Sequence, residues 1–212
     1  MSRWLKLFFF LLIVKPLVLI VIGLNVRDKT RLPTKGPAIV VANHNSHLDA
    51  LVLLSLFPLH QIHKIRPVAA GDYFMRNPFY AWLSTRLIGI IPIKRQQSKG
   101  LHNPFKLVNQ ALSQGDIIVI FPEGSRGEPE KMNRMKKGVA HLAIKHPEVP
   151  IIPIFVYGLG KALPRGEGLL VPFICDLYIG KAMYASGNVS QFMTNIQDSF
   201  AQLSEQARVD EW

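Results

Sequence analysis

A single cysteine, Cys175, stands among the 212 residues. An internal disulfide framework is therefore excluded, and no cysteine-based metal spacing exists. The thiol sits in an apolar run and reads as buried and inert. Charge is sparse too. Asp, Glu, Lys and Arg make up 18% of the chain against 49% hydrophobic residues, which excludes disorder and leads us to expect a membrane contact. Acids are scarcest, 14 against 25 Lys plus Arg, giving a formal net charge of +11. Such an excess attracts anions, and nucleic acid, anionic lipid and phosphorylated substrates all qualify. The chain lacks zinc-finger spacing, an RNA-binding aromatic signature and a basic helix with base-reading polar residues, so no nucleic-acid partner is expected. No internal repeat or low-complexity tract appears, and the length suits one domain with a real core.

What the chain does have is an apolar N-terminus. Leu7 to Val14 is wholly apolar, Lys15-Pro16 interrupts it, and Leu17 to Leu24 is apolar again. At about 1.5 Å per residue the combined run could cross a bilayer. A lysine near its centre costs about 2.5–3.5 kcal/mol, and Pro16 invites a kink. Arg3 and Lys6 on one side and Arg27, Lys29 and Arg31 on the other give no orientation. No small-x-small site follows, so a cleaved signal peptide is not expected. The expectation is a bent helical pair lying in or dipping into one leaflet, covering residues 1–33. A full span is the competing reading; a buried core helix is the blander one, and apolar residues on every face count against it.

Thr30 to Pro37 is a polar connector, and residues 34–212 should form one α/β domain. Strands are expected at Ala38 to Ala42, Pro67 to Ala70, Gly89 to Ile93, Ile117 to Phe121 and Ile151 to Val156. Helices are expected at Asp49 to Leu56, Phe79 to Leu87, Pro104 to Leu112 and Gly138 to Lys145. Val189, Phe192, Met193, Ile196, Phe200 and Leu203 recur at helical spacing, so an amphipathic C-terminal helix should pack on the body. This alternation predicts a mixed, largely parallel sheet flanked by helices.

Two polar stretches follow directly on buried strands, where α/β sheets commonly build their sites. The first is Asn43-His44-Asn45-Ser46-His47-Leu48-Asp49. Ser46 with Asp49 three residues later is a capping-box pattern, which sets His44 in the turn before a helix. Spacing alone leaves two readings level. Asp49 either only caps the helix or also bonds the His44 imidazole, fixing its tautomer and freeing the other nitrogen to accept a proton. A zinc pair from His44 and His47 has no third ligand at telling spacing, and no metal is expected. The second stretch is Phe121-Pro122-Glu123-Gly124-Ser125-Arg126-Gly127. Gly124 and Gly127 let the backbone turn and present N–H groups to an anion, and Arg126 can grip a phosphate bidentately. Ser125 is not a hydrolase nucleophile, because Glu123 stands where the nucleophile elbow needs glycine.

Together these motifs resemble the glycerolipid acyltransferases typified by lysophosphatidic acid acyltransferase. Gly89-Ile90-Ile91-Pro92-Ile93-Lys94-Arg95 resembles that family's second block, Lys136-Lys137-Gly138 its basic-glycine element, and Val149-Pro150-Ile151-Ile152-Pro153-Ile154 its fourth block. Four blocks occur in order between Ala38 and Tyr157. His47 is a departure at a position where those enzymes often carry another residue, and it bears on the acceptor rather than the reaction. The resemblance implies a glycerophosphate acyltransferase-like fold and transfer of an acyl group from acyl-CoA or acyl-carrier protein to a lysophospholipid hydroxyl, with 1-acyl-glycerol-3-phosphate as the foremost acceptor. Lyso-ornithine lipid, lysophosphatidylethanolamine, or a non-catalytic lipid-binding role are the alternatives. It further implies His44 as general base and Asp49 as its orienting partner. Arg95 and Arg126 would clamp the phosphate, with Lys137 beside them. Glu123 would bond the glycerol backbone or support Arg126, and Gly124 and Ser125 would complete the substrate-binding loop. No cofactor is implied. The chain would work at a membrane, inner-membrane-associated, with the site facing the cytoplasm.

Overall fold

Three short apolar runs of the sequence, Ala38–Ala42, Ile117–Ile120 and Ile151–Tyr157, lie side by side in the middle of one sheet. The structure, a computed structural model, describes residues 3–46, 48–71, 77–93, 104–127, 132–162 and 174–209. Its strands are β1 (Leu24–Arg27), β2 (Ala38–Ala42), β3 (Ile65–Ala70), β4 (Ile91–Ile93), β5 (Ile117–Ile120), β6 (Ile151–Tyr157) and β7 (Cys175–Ile179). The order is β1-β7-β6-β2-β5-β3-β4. β2 to β6 run parallel, β7 runs antiparallel to β6, and β1 pairs parallel with β7. The sheet is thus mixed and mostly parallel. β2 and β5 are buried at every residue because helices cover both faces, which is why they read as continuous apolar runs.

Alternate residues of β2 enter different cores. Val40 and Ala42 join Phe10, Val52 and Val119 on one face. Ile39 and Val41 join Val108, Leu142 and Phe200 on the other. The first face carries α1 (Arg3–Phe9) with its continuation, α2 (Asp49–Ser55), and the end of the segment formed by α3 (Pro78–Trp82) and the π-helical turn Leu83–Ile88. α4 (Lys106–Ser113), α5 (Gly138–Lys145) and α7 (Val189–Val209) cover the second, and the short α6 (Leu159–Ala162) follows β6. α5 and the amphipathic α7 fall where their periodicity places them.

The sequence reading needs correcting in four places. β1 and β7 went unread, and β1 ties part of the N-terminal segment into the sheet through β7. β3 begins two residues earlier than expected, at Ile65. Gly89 is not in a strand; it closes the preceding π-helical turn at φ +84°, a left-handed conformation that glycine tolerates. Pro16 does not divide the N-terminus into two helices. Helical backbone runs without a break from Arg3 to Val21, with π-helical turns at Phe10–Val14 and Leu17–Val21. Widened turns accommodate a proline ring that would clash with the carbonyl of the turn before it.

That helix is also part of the core. Lys6, Phe10, Val14, Val18 and Ile22 form a buried stripe at every fourth position, while Phe8, Leu12, Leu19 and Ile20 remain exposed. Among the described residues no helix is long and apolar enough to cross a membrane. The Lys6 ammonium donates to the Ile65 carbonyl at 3.3 Å. Burial, together with the nearby Arg66 cation, lowers its pKa from 10.5 to about 7, against a smaller opposing effect of Asp116. Between those values the unfolded chain holds a proton that the folded chain has lost, so stability should rise with pH across that window. From pH 7 to pH 9 the gain should be about 2 kcal/mol. Lys6→Met should flatten the rise and stabilise the protein at pH 7. Denaturant melts of both proteins at the two pH values check this, and parallel curves would refute it.

Candidate active site

The carboxyl ends of β6, β2 and β5, neighbours in the sheet, build the site. Asn43 leaves β2 and clamps β6, accepting from Val156 N at 2.7 Å and donating to Val156 O at 2.9 Å. Asn45 donates to the same carbonyl at 3.2 Å. These amides fix the chain on both sides of His44. The His44 imidazole stacks on the Phe121 ring at 4.3 Å between centroids and 22° between planes. Its backbone N–H donates to Glu123 Oε1 at 2.7 Å, and its carbonyl accepts from Gly127 N at 2.9 Å.

Asp49, fully buried at the start of α2, joins this turn through one oxygen. Asp49 Oδ2 lies 2.7 Å from His44 Nδ1 and accepts from the backbone N–H groups of Asn45 at 2.7 Å and Ser46 at 2.9 Å. Spacing leaves capping and dyad level; the oxygen that meets the imidazole also holds the backbone of the turn ahead of α2, and α2 itself has no side-chain cap. Ser46 supplies the capping box only in part, since its hydroxyl takes Leu48 N at 3.3 Å. A carboxylate can only accept, so Nδ1 carries the proton and Nε2 is left as acceptor on a side chain 22% exposed. The arrangement suits a general base.

Glu123 is buried, 4% exposed, with Oε1 on His44 N and Oε2 on Asn133 N at 3.0 Å. Burial pushes its carboxyl above the ordinary value, and the two backbone amides work against that shift. Both oxygens are thus engaged by backbone, where the sequence had suggested glycerol or Arg126. Gly124 has φ +71°, and a Cβ there would stand 2.5 Å from Lys136 Nζ. A Cβ at Gly127 would overlap the Asn133 amide. At Gly124 the left-handed backbone is what calls for glycine, since the lysine end can move aside; at Gly127 a side chain would also press on Glu123 Oε2 at 3.1 Å. Ser125 is exposed and Arg126 half-buried on this same loop. Lys137 is exposed at the start of α5, so Lys136 is the lysine that meets the loop. β4 ends at Ile93, at the same end of the sheet; Lys94, Arg95 and His47 lie outside the described residues. The roles of Asn43 and Asn45 were missed, although two amides flanking a histidine at the end of a buried strand were a usable signal.

The sequence profile described as Acyltransferase matches residues 23–157, more than half of the chain. The chain belongs to that family. Relatives of this acyltransferase-family chain include the 1-acyl-sn-glycerol-3-phosphate acyltransferase BAT2 of Brassica napus, 32% identical over 76% of this chain and 45% of that protein. The 1-acyl-sn-glycerol-3-phosphate acyltransferase of Pseudomonas aeruginosa is 29% identical over 77% of this chain and 60% of its own. The chain thus spans roughly half the length of these relatives. The crystal structure of the 1-acyl-sn-glycerophosphate (LPA) acyltransferase PlsC from Thermotoga maritima aligns with TM-score 0.73 at 19% identity, covering 96% of this chain and 79% of that one. At that identity the likeness bears on the fold alone.

Proposed function

We propose that the protein transfers a fatty acyl group from acyl-CoA or acyl-carrier protein to a lysophospholipid hydroxyl, foremost that of 1-acyl-glycerol-3-phosphate, yielding phosphatidic acid. The observation that carries this reading is the 2.7 Å contact of His44 Nδ1 with a buried Asp49 at the carboxyl end of a parallel strand, in a chain of the acyltransferase family. His44 Nε2 takes the hydroxyl proton as the oxygen attacks the thioester carbonyl. The tetrahedral adduct collapses to the ester, and the departing thiolate receives the proton from the imidazolium. Asp49 holds the ring and stabilises its charged form through the transfer. Arg126, with one of Lys136 and Lys137, binds the acceptor phosphate, a role the sequence resemblance also gives to Arg95, and Glu123 acts as a positioning residue for His44. The N-terminal helix lies along the lipid surface with its exposed apolar side down and keeps the site within reach of a bilayer-borne acceptor.

Purified protein given acyl-CoA and 1-acyl-glycerol-3-phosphate in micelles should yield phosphatidic acid by mass spectrometry. Lyso-ornithine lipid and lysophosphatidylethanolamine, supplied in parallel, should react more slowly. Preference for either of those moves the acceptor assignment, and a folded protein that acylates none of the three defeats the proposal. Arg126→Ala should cost about 1.5–3 kcal/mol, roughly ten- to a hundredfold in kcat/KM, when acceptor is varied. Arg126→Lys should recover only part of that loss, since a lysine lacks the forked geometry. A defect confined to donor titrations would reassign Arg126 to the thioester substrate.

A further inference from the structure

Exposed apolar side chains are concentrated on two elements. Of the fourteen large hydrophobic residues exposed among the described residues, ten lie on the N-terminal helix or on α3: Trp4, Leu5, Phe8, Leu11, Leu12, Ile13, Leu19, Ile20, Phe79 and Trp82. Phe79 is 63% exposed, Trp82 is 41% exposed, and their rings stack at 6.5 Å. The segment Pro78–Ile88 sits beside the N-terminal helix: Ile88 packs against the core that contains Phe10 and Val14, and a Cβ on Gly89 would meet Lys6 Nζ. The two segments therefore lie side by side on one face of the sheet, each with large apolar side chains left exposed. Their charges agree as well. Apart from the buried Lys6, the charged residues of 1–27 and 77–93 are Arg3, Lys15, Arg27 and Arg86, with not one Asp or Glu.

We propose that α3 is a second membrane-contacting element, inserting Phe79 and Trp82 into the interface of an anionic bilayer beside the N-terminal helix. This deepens the membrane placement proposed above and rests on it. The Trp82 indole, an apolar ring with one polar N–H, settles at the headgroup level, Phe79 adds apolar area beneath it, and Arg86, one turn from Trp82, reaches anionic phosphates there. The all-cationic face favours anionic lipid over a second copy of this chain, which would bring like charges together. A lone helix lying in the interface leaves the protein free to roll about the helix axis. A second line of contact removes that freedom and fixes how the carboxyl ends of β2 and β5 meet the surface.

The test uses the full chain with Trp4 and Trp212 replaced by Phe, so that Trp82 reports alone. Vesicles of phosphatidylethanolamine and phosphatidylglycerol with brominated acyl chains should shift its emission to the blue and quench it. Phe79→Ser with Trp82→Ser should lower flotation with these vesicles about three- to tenfold while leaving micellar acyl transfer unchanged. Unquenched Trp82 on floating protein would overturn the proposal, as would undiminished flotation of the double variant. Equal flotation with phosphatidylcholine alone would overturn the anionic requirement. A lipid-free dimer abolished by the double variant would assign the face to self-association instead. Trp82 quenching does not depend on turnover, so a failed acyl-transfer reading would leave this outcome standing.

Discussion

His44→Ala should yield a folded protein whose transfer rate is lower by roughly 10²- to 10⁴-fold, the contribution of a well-placed general base. The fold should survive because the imidazole is partly exposed and the contacts that fix this turn are made by backbone. Glu123 still accepts from the residue 44 amide, Gly127 still donates to its carbonyl, and Asp49 keeps two of its three donors. Asp49→Asn should be nearly as damaging to rate and worse for stability. An amide in that buried position must give up either the imidazole or the backbone N–H groups of Asn45 and Ser46, and the histidine tautomer loses its determinant. Steady-state kinetics beside thermal melts would separate the two effects. Near wild-type turnover by folded His44→Ala protein would refute the mechanism.

Glu123→Gln should lower kcat well beyond any change in acceptor KM. The amide keeps the shape of the carboxylate but turns one acceptor into a donor, set against a backbone N–H of His44 or Asn133. A buried clash of that kind costs about 1–3 kcal/mol and shifts the turn that carries His44. A residue that bonded glycerol directly would raise KM with kcat intact, so the split between the constants decides its role. The pH dependence offers a second check. Burial raises this carboxyl, so the folded chain holds its proton to higher pH than the unfolded chain does. Stability should then fall as pH climbs from the ordinary glutamate value through the raised one, and Gln should flatten that limb.

The central strands were legible because burial on both faces leaves one signal, an uninterrupted apolar run. The same logic fails at the edge. β1 carries Asn25 and Arg27, β7 carries Asp176, and the two strands meet through a 2.7 Å Asn25–Asp176 bond across 151 positions of sequence. Nothing local announces such a pairing. His44 and Asp49 were readable as candidates because five residues and a capping pattern bring them together within one turn. Glu123 was readable as a site residue but not by what it touches, since its partners belong to two other loops. The N-terminal helix was read by its overall hydropathy, which masked a docked stripe within an otherwise lipid-suited surface. Removing residues 1–27 would therefore strip β1 and uncover the core residues that Phe10, Val14 and Val18 pack with, Val40, Val52 and Val119 among them.

That stripe also sets a rule of phase. In a regular helix four residues overshoot one turn by about 40°, so from Lys6 to Ile22 a line of every fourth residue would wander about 160° around the axis. The π-helical turns at Phe10–Val14 and Leu17–Val21 take more residues per turn and bring the line back into step with the body. Adding or deleting one residue between them would rotate everything upstream by about 100°. Lys6 would leave its carbonyl, and Trp4 and Phe8 would swing away from the exposed apolar side. Along this segment the identity of the outward residues is free to drift among apolar side chains, whereas the number of residues is not.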